Sequence, residues 1–133
     1  MASPNIVNVT SIYANTAYII PSTTANTAAW TTNGSNAITG LTPASGAVNK
    51  VGSIVVSNVT GSAALCSVAI ANNATFATGT PYYVAYQISV PPNASVVVTD
   101  KTSAFYVTEN QSVGVPSGTS SALHYIASLE TIS

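Results

Sequence analysis

The pattern that most restricts this chain is a succession of short β-branched and aromatic runs, each stopped by Gly, Pro or Asn after about ten residues. It is sharpest in residues 82–100, YYVAYQISVPPNASVVVTD. Tyr82, Val84, Tyr86, Ile88 and Val90 alternate with Tyr83, Ala85, Gln87 and Ser89. A period of two is expected of a strand with one covered face, so Tyr82 and Tyr86 should face the core and Tyr83 the other way. Pro91-Pro92-Asn93 ends the run, because proline has no N–H for a ladder and asparagine tolerates turn geometry. Val96-Val97-Val98-Thr99 then starts a second strand.

The same grammar recurs in residues 51–59, 65–71, 105–108, 113–115 and 122–130. Turn signals separate them, including Thr60-Gly61, Asn72-Asn73, Asp100-Lys101, Glu109-Asn110 and Pro116-Ser117-Gly118. No window keeps a helical apolar face between caps. The expected fold is therefore all-β, an antiparallel β-sandwich or jelly-roll. In the last strand Leu123, Tyr125, Ala127 and Leu129 alternate with Ala122, His124, Ile126 and Ser128. Ile126 breaks the polar side of that alternation, which predicts a strand covered on both faces.

Residues 1–47 are different in kind. Two short β-like pieces, 6–13 and 16–20, precede Pro21, and the following stretch to residue 49 is rich in Thr, Ala, Asn and Gly with one large anchor, Trp30. A long segment with so little core material is characteristically functional or a linker. Residues 1–47 are expected to form an extended N-terminal arm or hairpin used in assembly, lying on a neighbour or on the sandwich flank; an irregular edge of the same domain is the alternative. Residues 48–133 are expected to form the β-sandwich domain.

Charge narrows the function classes. Charged residues make up 4% of the chain, against roughly a quarter in an ordinary domain. They are Lys50, Asp100, Lys101, Glu109 and Glu130. Two cations cannot supply the footprint that nucleic acid requires, nor a polybasic membrane patch. No apolar run approaches the length of a membrane-spanning helix. A near-neutral, hydroxyl-rich surface offers little repulsion between copies and favours association. The opening Met1-Ala2-Ser3-Pro4 has neither a basic n-region nor an apolar core, the expectation for a protein made in a reducing cytosol without a signal peptide.

Residues that could carry chemistry are few and scattered. His124 is the sole histidine and Cys66 the sole cysteine, so neither a metal set nor a nucleophilic triad can be built around them, and no disulfide closes within the chain. His124 reads as an outward strand residue and Cys66, in phase with Val68 and Ile70, as a small core residue. Glu109 and Glu130 lie on different segments with no cluster of aromatic and polar partners beside them, which argues against paired-carboxylate chemistry. Asp100-Lys101 reads as a solvated turn pair. The expectation is a protein that is not an enzyme, with no cofactor and no metal. Ile6, Tyr13, Tyr18, Trp30 and Tyr83 are the candidate interface residues, large apolar groups placed on the arm or facing outward.

Lys50-Val51-Gly52-Ser53-Ile54-Val55-Val56-Ser57-Asn58, the Val90-Pro91-Pro92-Asn93-Ala94-Ser95 turn, Val97-Val98-Thr99-Asp100-Lys101, Ala104-Phe105-Tyr106, Glu109-Asn110 and the ending Ile126-Ala127-Ser128-Leu129-Glu130-Thr131-Ile132-Ser133 are similar to motifs of one group of proteins. With the Met1-Ala2-Ser3-Pro4 opening, this half of the chain resembles the small β-sandwich virion structural proteins of tailed phages, cyanophage type. The resemblance implies a non-enzymatic particle component, most simply a capsid decoration or cement protein that stabilises the shell through oligomeric contacts. The implied partners are the major capsid protein or neck and tail proteins, and further copies in a homo-oligomer such as a trimer; the implied location is the virion. A neck, collar or tail ornament is the near alternative, and a carbohydrate-binding host-attachment module a further one. An ice- or mineral-binding role would need a fixed Thr repeat, which the sequence lacks.

Overall fold

Two antiparallel sheets face one another across the main core, so the chain is an all-β sandwich. The structure, a computed structural model, describes residues 9–21, 40–116 and 121–133. Its strands are β1 (Ile12–Ile19), β2 (Val48–Asn58), β3 (Ala64–Ala71), β4 (Pro81–Val90), β5 (Ser95–Thr99), β6 (Phe105–Val107), β7 (Ser112–Gly114) and β8 (Leu123–Ile132). The larger sheet runs β1-β8-β2-β5, with β6 also pairing to β2; the smaller runs β4-β3-β7. One 3-10 turn, Phe76–Thr78, lies between β3 and β4.

β2 is the longest strand because it serves three neighbours: β8 on one side, β5 and β6 end to end on the other. Its inner face carries Val51, Ile54 and Val56, and the step between 51 and 54 is possible because the register with β8 shifts between Val51 and Ser53. β8 contributes Leu123, Tyr125, Ala127 and Leu129 to the same core, and β3 contributes Cys66 and Val68. Both Cys66 and the inner side of β8 are buried as the alternation predicts.

The described part of residues 1–47 is built into the sandwich and its main core. β1 is an antiparallel edge strand along most of β8, from Ile12 opposite Ile132 to Ile19 opposite Tyr125, and Ala17 and Ile19 are buried in the core. It is one continuous strand rather than the two pieces expected, of which residues 6–8 lie outside the described residues. Leu41 is fully buried, and its carbonyl accepts a bond from Asn49 Nδ2 at 2.7 Å.

β4 departs from the alternation read off the sequence. Tyr82 and Tyr86 are 62% and 59% exposed, and only Ala85 and Val90 of that strand are buried. The cause is bulging: the register between β3 and β4 slips between Cys66 and Val68 and again between Val68 and Ala69. Gln87 adopts a positive φ of 49° there, and its N–H turns to the Ser67 hydroxyl at 2.9 Å instead of a ladder carbonyl. Each extra residue in a bulge resets which side chains point inward, so period two fails across this strand.

Burial in this core has a pH signature. It pushes the Tyr125 phenol far above its ordinary value; neighbouring Cys66 adds to the push, and a hydrogen bond with the Ser67 backbone opposes it. Burial likewise raises the Cys66 thiol. The unfolded chain releases these protons from about pH 8.5 for cysteine and about pH 10 for tyrosine, while the folded chain still holds them. The stability they contribute is complete below those values and is lost as pH rises toward the folded-state values. Urea unfolding should therefore show a steep fall in stability above about pH 10, and the fall should be shallower in Tyr125→Phe; equal slopes would contradict a buried neutral phenol.

Candidate contact face

The outer face of the larger sheet is built by register, because residues paired across strands share a face and every second residue joins them. Tyr18 lies opposite Ile126, Ile126 opposite Val55, and Val55 opposite Val97. This makes an apolar row across β1, β8, β2 and β5. Tyr18, Ile126 and Val97 are 50%, 47% and 60% exposed, so the row meets solvent. Polar rows flank it. On one side are Thr16, Ser128 and Ser53; on the other are His124, Ser57 and Ser95, with the Ser57 and Ser95 hydroxyls hydrogen-bonded at 2.8 Å.

The next row is charged. Ala14 pairs with Glu130, Glu130 with Lys50, and Lys50 with Tyr106. An open trough of about 630 Å³ runs over this part of the sheet, lined by Thr16, Lys50, Ser128 and Glu130 and also by Lys101 from the β5–β6 turn. Both of the chain's cations thus border one trough. Among the described residues, no ion pair joins either of them to a carboxylate.

The remaining predicted residues disperse. Tyr18 belongs to the apolar row, whereas Tyr13, 68% exposed, lies opposite Thr131 on the other face of β1. Tyr83 sits on β4 of the smaller sheet, in edge-to-face contact with Tyr86 at 4.6 Å between ring centres. Ile6 and Trp30 lie outside the described residues. The sequence reading missed Val55, Val97 and Tyr106, because their place on the outer face follows from pairing and not from a local signal.

The charged residues outside the trough are engaged in turns. Asp100 Oδ1 accepts bonds from the Thr102 N–H at 2.9 Å and the Thr102 hydroxyl at 2.6 Å. Those bonds, chiefly the one from the hydroxyl, hold its carboxyl below the usual carboxylate range. Glu109 Oε2 accepts the Gly46 N–H at 3.1 Å. The structure thus gives Glu109 a turn to hold, whereas Glu130 borders the trough beside Lys50. No group of three or more metal-capable side chains gathers among the described residues, and no helix there is long and apolar enough to cross a membrane.

Fold and surface together define a β-sandwich with a broad, row-patterned sheet face. Comparison with protein-family models, with curated proteins and with solved structures finds no match for this chain.

Proposed function

We propose that the protein is a structural component of a tailed-phage virion, a capsid decoration or cement protein that acts through contacts made by the outer face of its larger sheet. The observation carrying the contact role is the apolar row Tyr18–Ile126–Val55–Val97, exposed at every position but the half-buried Val55, which joins four strands on a chain with almost no charge to keep copies apart. Contiguous apolar surface bordered by polar groups is the pattern of a protein interface. The virion and its major capsid, neck or tail proteins as partners come from the sequence resemblance. Stabilisation would be mechanical: a protein that binds only the assembled shell shifts the equilibrium toward it by mass action.

Electron microscopy of purified particles, with labelled protein, tests this. The expected result is many copies on the shell, the larger sheet turned toward neighbouring subunits. Absence of the protein from purified particles would overturn the proposal, and a ring of copies at the neck or tail would move the site of action within it.

One observation favours a second reading, host attachment through a saccharide. Tyr83 and Tyr86 are exposed on β4 with their rings in edge-to-face contact, and clustered aromatic faces are what sugar rings stack upon. A glycan array probed with the assembled protein separates the two readings.

A further inference from the structure

We infer that the outer face of the larger sheet pairs with the same face of a second copy of this chain, about a twofold axis lying along the seam between β2 and β8. This rests on the reading of that face as a contact surface and names its occupant. A twofold along the seam lays β8 of one copy over β2 of the other and leaves each cross-strand row facing itself. In such an isologous contact, residue i meets j and j meets i.

The register makes every row compatible with that operation. Lys50 meets the second copy's Glu130, and Glu130 its Lys50, so opposite charges that are unpaired within one chain become partners between two. Ile126 meets Val55, and Tyr18 meets Val97, apolar against apolar. Ser128 meets Ser53 and His124 meets Ser57, each a polar side chain able to hydrogen-bond. Any other registry of the two faces along the strands sets the charged row against hydroxyl or apolar rows and leaves Lys50 and Glu130 desolvated with no opposite charge from the second copy, which is costly. Lys101, at the side of the trough on an exposed turn, keeps its ammonium in water.

Size and charge agree. Four rows across four strands, spaced about 6.7 Å along and 4.8 Å between strands, cover about 500 Å² on each copy, or about 1,000 Å² in total, the lower bound of a specific contact. Sheets packed face to face cross at about −30°, which keeps the central pairs beside the axis opposed while the outer ones diverge. The net charge of −1 per chain adds almost no repulsion. The contact also accounts for an apolar residue at Ile126, on the side of β8 where alternation calls for a polar one.

The test exploits the twofold. Lys50→Glu makes the central charges of one chain all acidic, and Glu130→Lys makes those of another all basic. By sedimentation equilibrium at low salt, the unmodified protein should dimerise, and each variant alone should dimerise about a hundredfold more weakly or worse, from like charges meeting at the seam. An equimolar mixture of the two variants should recover a heterodimer. A fault confined to one chain cannot be repaired by mixing, so recovery supports the twofold directly. Circular dichroism melting verifies that each variant is folded. A monomeric unmodified protein, or variants that dimerise as well alone as together, would overturn the inference. Ile126→Arg separates this from the broader reading. If the unmodified protein is monomeric yet binds its particle, and Ile126→Arg abolishes that binding, the twofold fails and the contact face stands. If Ile126→Arg changes neither association nor particle binding, both fail.

Discussion

Replacing Asn58 with alanine is expected to lower the unfolding free energy by about 3 kcal/mol, measured by urea denaturation. Asn58 ends β2 in the larger sheet and is buried. Its Nδ2 donates to the Ser62 carbonyl at 2.8 Å and to the Val90 carbonyl at 3.0 Å, and its Oδ1 accepts the Thr60 N–H at 2.9 Å and the Thr60 hydroxyl at 2.7 Å. An asparagine amide has two donor hydrogens and two acceptor lone pairs, and all are used. Val90 ends β4 in the smaller sheet, so one side chain ties the two sheets and shapes the turn into β3. Alanine removes all four bonds and strands a buried carbonyl, which costs more than the bonds themselves contribute. Asn58→Asp keeps the acceptor contacts but sets a carboxylate against two carbonyls, and should be worse at neutral pH than at pH 3. A loss below about 1 kcal/mol for the alanine variant would mean that water replaces the amide and the tie is dispensable.

Strand positions were legible where turn chemistry was strong. Pro91-Pro92-Asn93 separates β4 from β5, and Asn93 takes the positive φ of 56° that such a residue tolerates. The facing of β4 was not legible, because its bulges arise without a glycine: Gln87 itself turns to positive φ. In β1, Asn15 falls between the two β-like pieces of the sequence, and its Oδ1 accepts the Thr16 N–H at 2.8 Å, a local bond that competes with strand pairing. The strand continues regardless, since β8 offers it a complete ladder from the far end of the chain. Tertiary pairing overrides a local preference in that case. The contact face was hidden for the same reason. Its rows join residues more than a hundred positions apart, such as Tyr18 and Ile126, and no single segment displays them. Only Ile126 left a local trace, as an apolar residue on the wrong side of an alternating strand.

Gly114→Ala is the second substitution expected to cost about 3 kcal/mol, through displacement of another residue. Gly114 lies on β7 opposite Ala69 of β3, and a methyl added there would land within the ring of Phe76. That ring has nowhere easy to go. It is 4% exposed and forms a small second core with Ala69 and Ala71, on the opposite side of the smaller sheet from the main core. The absence of a side chain at 114 is what allows the tip of the ring to approach the sheet, so the glycine is required for close approach. Expelling Phe76 would surrender its burial and uncover the two alanines, a loss comparable to truncating the ring itself, about 3 kcal/mol. The two substitutions should therefore not add. In a Phe76→Ala background the space beside residue 114 is open, and Gly114→Ala should cost less than about 1 kcal/mol further, a coupling of about 2 kcal/mol in a double-mutant cycle. Additive losses would mean that the alanine acts on the β3–β7 pairing rather than through the ring.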